Sequence, residues 1–187
     1  FFYFIFQTSA SVGLQTFLPP TLNAGFAVPL VIATSAVTAY LLGGTAGIVT
    51  GGFLAVRTTR HDRVAATGLL IGATLLALVA ANVVSLPFFV PLFVVIGFFI
   101  GATGPSRDLI VRNATPKGAA GRVCGFVYSG LDIGSMLATV CLGRRLDQRP
   151  SSDVLLFIVS LFVLSVVTEL TSPHSRAPPL PRTARSY

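Results

Sequence analysis

Few residues in this chain of 187 are of types that do chemistry, and most of those stand among apolar neighbours. Asp132 lies in Tyr128-Ser129-Gly130-Leu131-Asp132-Ile133-Gly134. At 1.5 Å per helical residue it sits roughly 15 Å along an apolar segment from Arg122. A carboxylate at such depth costs several kcal/mol unless it is paired, solvated or protonated, so an acid kept there suits proton uptake and release. The alternative is a structural pair with Arg107. Arg107 and Asp108 follow the Gly104-Pro105 dipeptide. Arg107 could reach an anionic substrate or Asp132, or it could snorkel to the interface and hold its helix in register. Structure or gating is the favoured role for this pair. Gln7, Gln15, Asn82 and Tyr128 are candidates for lining a cavity. Gln7 and Gln15 fall near one face and, with Thr8 and Ser11, form a polar stripe. A hydrogen bond between helices explains such residues nearly as well. Glu169 reads as interfacial.

The same inventory argues against an enzyme. His61 lies in a charged stretch and His174 near the C-terminus, so no histidine is available at depth. Gly-x-Ser-x-Gly, His-Glu-x-x-His and P-loop patterns are missing from the sequence. Cys124 and Cys141 have no CxxC spacing and no neighbouring His, and read as small apolar fillers. Neither a cofactor nor a metal is expected. Asn113-Ala114-Thr115 matches a glycosylation acceptor but falls on the side assigned below to the cytoplasm.

The elements that must hold these residues follow from composition. The chain is 53% apolar and only 10% charged, and its mean hydropathy is +0.82. A soluble domain carries roughly a quarter charged residues, and disorder needs low hydrophobicity, so both are excluded and a bilayer is the expected solvent. The net charge of +7 does not indicate nucleic acid, because the basic residues flank apolar runs or lie in the tail. Six runs reach the length of about 20 residues that a spanning helix needs. They cover residues 1–22, 27–56, 64–86, 87–111, 122–143 and 154–170. The fold class is therefore all-α, a polytopic membrane protein with one domain over 1–172 and a disordered cytoplasmic tail at 173–187. An even number of spans puts both termini on one side. Ten basic residues share that side and only Arg144, Arg145 and Arg149 fall on the other, so the positive-inside rule puts both ends in the cytoplasm.

Apolar side chains gain nothing by leaving lipid for a neighbouring helix, so close packing is expected from small residues. Gly43, Gly47 and Gly51 share one face of the second span, and Gly68/Gly72, Gly97/Gly101, Gly121/Gly125 and Gly130/Gly134 repeat the spacing. Gly104-Pro105 should kink or loosen the fourth span, and Pro19-Pro20 and Pro29 should do the same near the ends of the first two. Several such breaks favour a transporter or channel over a simple anchor.

The stretch Gly52-Phe53-Leu54-Ala55-Val56-Arg57-Thr58-Thr59-Arg60-His61-Asp62-Arg63 resembles a known signature. In major facilitator superfamily transporters the loop between the second and third helices of each half runs Gly-x-Leu-Ala-Asp-Arg-x-Gly-Arg-Arg-x-Arg. Gly52, Leu54, Ala55, Arg57, Arg60 and Arg63 match it. Val56 stands where the family prefers Asp, Thr59 where it prefers Gly, and His61 where it prefers a basic residue. Gly104-Pro105-Ser106-Arg107-Asp108, Gly121-Arg122 and Gly125-Phe126-Val127-Tyr128-Ser129-Gly130 resemble the tenth and eleventh helices of bacterial members.

This resemblance implies the C-terminal six-helix half of a twelve-helix transporter, built as two inverted three-helix repeats. A substrate path would run between it and a missing N-terminal half. Gly52, Arg57, Arg60 and Arg63 would form a cytoplasmic gating loop, and Gly104 and Pro105 a helix break. The expected function is secondary active transport of a small solute by alternating access, coupled to protons through Asp132, in the bacterial inner membrane. The expected partners are the bilayer, the N-terminal half and a small-molecule substrate. The second reading is a truncated half that only folds or associates with partners, which fits a chain opening at Phe1 rather than Met.

Overall fold

A computed structural model describes residues 2–26, 28–58, 61–114, 120–148 and 152–171. Among them the architecture is all-helical: α1 (Phe2–Phe26), α2 (Leu30–Arg57), α3 (His61–Ala80), α4 (Phe89–Ala114), α5 (Ala120–Gln148) and α6 (Ser152–Thr171), with a 3-10 turn at Leu86–Phe88 before α4. Three stretches, Leu30–Arg57, Leu86–Leu109 and Gly125–Arg144, are long and apolar enough to cross a membrane by length and composition. The tail at 173–187 lies outside the described residues.

Two connections show how local chemistry sets the helix ends. The apolar run through Leu86 does not stay helical to its end. Asn82 takes φ 56° just past α3, a left-handed conformation that Asn tolerates better than most residues. Its N–H bonds to the Val79 carbonyl, and the Val83 N–H reaches back to that of Leu78, which closes the helix in a Schellman cap. Between α1 and α2, the Asn23 amide donates to the Val28 carbonyl at 3.0 Å, and Val28 N–H bonds to Leu22 O.

Proline behaves differently by position. Pro29 is the N-cap of α2, where its missing N–H leaves no bond unmade, so it begins that helix rather than breaking it. Pro19 and Pro20 lie inside α1, and Pro105 inside α4, and the chain stays helical through all three. Each removes one backbone bond, a loss a helix tolerates when its neighbours hold both flanks.

Glycines decide which helices approach closely. Gly43, Gly47 and Gly51 of α2 face the backbone of α4 at Val94, Phe98 and Ala102, and Gly97 and Gly101 of α4 face Tyr40 and Gly44 of α2 in return. A Cβ at any of these five would run into backbone atoms. Gly68 and Gly72 of α3 meet Thr103 and Ile100 on another face of α4, and Gly134 of α5 meets Ile5 of α1. Gly121 and Gly125 differ, since no atom of another helix lies within 4 Å of an added Cβ there. Helix α4 thus packs on α2 and α3, while α1 packs on α5, α6 and α2, and α3 closes against α6. The interior is filled by Leu14, Leu18 and Leu22 of α1, Leu69 and Leu76 of α3, Phe93 and Ile96 of α4, and Ile158 and Phe162 of α6. Large apolar side chains also cover the outside, as with Val31, Phe53 and Val56 of α2, which suits a lipid environment.

Candidate functional site

Helix α5 shows two opposite faces. Gly130, Gly134, Ala138 and Leu142 recur every four residues and are buried. Asp132 falls about 200° from Gly130 and Gly134 at 100° per residue, so it must point the other way. Tyr128, Ser129, Asp132, Met136 and Thr139 are all exposed on that outer side. The hydroxyls there bond to their own helix, Ser129 to Phe126 O at 2.7 Å and Thr139 to Ser135 O at 3.0 Å. The carboxylate is therefore the strongest polar group that this face offers to a ligand or a partner.

Arg107 does not meet Asp132. Its Nε lies 3.5 Å from the Asp108 carboxylate, the next residue along α4, in an ion pair between chain neighbours. Its guanidinium stacks over the ring of Phe4 on α1, 4.9 Å from the centroid. A cation over an aromatic face is attracted by the ring quadrupole, so Arg107 ties one end of α4 to α1. Only 21% of its side chain is exposed, against 51% for Asp108.

The two glutamines of α1 part company. Gln7 is buried, with Oε1 3.4 Å from the Ser165 hydroxyl of α6, while Gln15 is exposed. Eight helical residues leave about 80° between them, enough to turn one inward and the other out. Ser165 itself donates to Phe162 O at 2.7 Å. Ser9 donates to the Gly134 carbonyl of α5 at 2.7 Å. Polar side chains of α1 thus meet both α5 and α6. Ser9 and Ser165 are not singled out by the sequence, whose signal was the polar stripe on α1, without the partners.

The remaining candidates lie apart. Asn82 caps α3 rather than lying within it. Arg57 is exposed at the end of α2, and Gly52 is half-buried with no atom within 4 Å of an added Cβ. Arg60 lies outside the described residues, as does the side chain of Arg63. Gly104 has the same open surroundings as Gly52, and Pro105 is half-buried inside α4.

The family model for the Major Facilitator Superfamily matches residues 1–185. The chain belongs to the Major Facilitator Superfamily. Its fold is similar to that of the POT family transporter PepTSo, known from an in meso crystal structure, with a TM-score of 0.81 at 16% sequence identity. That match covers 97% of this chain and 38% of the PepTSo chain, so the present sequence spans well under half of that transporter. No curated protein matches the sequence. Family and fold are those of membrane transport proteins rather than enzymes.

Proposed function

We propose that this chain is the C-terminal six-helix half of a secondary active transporter, which moves a small solute by alternating access and is coupled to protons through Asp132. The observation that carries the reading is the outward face of α5, where a carboxylate is kept midway along the apolar stretch Gly125–Arg144 and turned away from its own bundle. A site between two halves needs such a group: free of structural partners, and able to meet solute, proton or the other half.

The helix contacts support a pair of inverted repeats. Exchanging α1 with α4, α2 with α5 and α3 with α6 maps the α1–α5 contact onto α4–α2, α1–α6 onto α4–α3, and α3–α6 onto itself. If every helix spans, α1 and α4 run in opposite directions. In this reading α1 and α4 line the path, the Arg57-to-Arg63 connection closes it on the cytoplasmic side, and Arg107 with Gly104-Pro105 serves the same gate. In the bacterial inner membrane that the resemblance implies, the excess of basic residues on the side of the termini supports an orientation with both ends in the cytoplasm.

The test uses the whole protein in proteoliposomes with an imposed pH gradient. Asp132→Asn abolishes accumulation driven by the gradient but leaves exchange of labelled for unlabelled solute. Accumulation that survives in Asp132→Asn overturns the coupling assignment. If neither accumulation nor exchange occurs with the unaltered protein, the chain belongs to a membrane protein that does not transport.

A further inference from the structure

A groove of about 370 Å³ runs between α2 and α3 and is floored by α4. It exists because α4 packs on both helices while they pack little on each other. Thr50 and Leu54 of α2 form one wall, Thr67 and Ile71 of α3 the other, and Phe98 and Ala102 of α4 lie beneath. The only side-chain hydroxyls in the lining are already engaged: Thr50 donates to Ala46 O and Gly47 O, and Thr67 to Val64 O. What the groove offers is an apolar trough, within the size range of about 300–1,000 Å³ usual for ligand sites.

Its ends are not alike. Leu54 lies one turn before Arg57, the exposed last residue of α2. The sequence from Arg57 to Arg63, which joins α2 to α3, carries three arginines against the single acid Asp62. An apolar trough with an exposed arginine one turn beyond its end is complementary to an anionic amphiphile. A neutral lipid would not use the charge, and free phosphate would leave the trough unfilled.

We propose that this groove holds an acyl chain of an anionic phospholipid from the leaflet that the α2–α3 connection faces, with the lipid phosphate against Arg57. The inference rests on the chain's residence in a bilayer and is independent of the transport reading.

These 187 residues contain no tryptophan, so once any tryptophan elsewhere in the whole protein is replaced by phenylalanine, Ile71→Trp reports from the groove wall without background. The whole protein carrying this substitution is placed in phosphatidylcholine nanodiscs. Rising fractions of phosphatidylglycerol or phosphatidylcholine with brominated acyl chains are then added. Brominated phosphatidylglycerol is expected to reach half-maximal quenching at a fraction about fivefold lower, the preference a basic residue gives for an anionic lipid. Adding Arg57→Gln should remove most of that difference. Val163→Trp, at an exposed position of α6, should be quenched alike by both lipids and shows that the protein is inserted. Leu54→Trp, on the facing wall, replaces Ile71→Trp if the latter fails to fold. Equal half-points for the two lipids at the groove, or a preference unchanged by Arg57→Gln, overturn the proposal.

Discussion

Arg107 is held by two unlike partners, and their exposure decides which contributes more. The Asp108 carboxylate is half exposed, so solvent screens its attraction to well under the Coulomb value. The Phe4 ring sits against a mostly buried guanidinium, where a cation–π contact is worth about 0.5–2 kcal/mol. Arg107→Gln should therefore destabilise the protein by about 1–2 kcal/mol, and Phe4→Leu by roughly 0.5–1 kcal/mol. A double-mutant cycle in reversible detergent unfolding should return a coupling between them, and strict additivity would show that the stack contributes nothing. Arg107 and Asp132 were both legible as charges in apolar sequence. That they do not pair was not legible, because pairing depends on how α4 and α5 are rotated about their axes.

At the scale of elements, glycine is the device that brings α2 onto α4. An alanine methyl at Gly47 would meet the Phe98 carbonyl and the Ala102 nitrogen, which are backbone atoms that cannot rotate away. Gly47→Ala should cost about 1–3 kcal/mol by overpacking. Gly104→Ala, at a site with no atom within 4 Å, should leave stability unchanged or raise it by up to about 1 kcal/mol through helix propensity. Melting temperatures of the two variants check this contrast, and equal losses would contradict the helix contact. The cap of α3 gives a second contrast. With φ at 56°, Asn82→Gly should be nearly neutral and Asn82→Ala should cost about 1 kcal/mol. The small-residue spacing was readable in the sequence, but Gly121 and Gly125 look like Gly47 there and have no close neighbour in the fold. Spacing shows that a helix can be approached, and only the assembled bundle shows where one is.

For the whole molecule, the proposed threading has a direct consequence at its connections. Thr58 lies between α2 and α3 and Val83 between α3 and α4, so one crossing separates them. With Cys124, Cys141 and any cysteine elsewhere in the whole protein replaced by serine, Val83→Cys should react with a membrane-impermeant maleimide in intact cells. Thr58→Cys should react only after permeabilisation. Labelling of both from outside would contradict a spanning α3. The pattern of helix contacts belongs to this scale too, since the sequence does not announce which helices touch.

Composition alone determined that this chain is helical and lives in a membrane, because a chain with 10% charged residues cannot cover a soluble surface and lipid leaves a spanning backbone few options. The Gly52-to-Arg63 pattern and the six apolar runs pointed to the family to which the chain belongs. The tertiary structure alone decided that Gln7 turns inward and Gln15 outward, that Asp132 faces away from α1, and that α2 and α3 leave a groove over α4. The reason is physical. Hydropathy selects a helix for the bilayer but is nearly the same on every side of it. The face each helix turns to its neighbour is selected by close backbone contact and a few hydrogen bonds, which exist only once the helices have met.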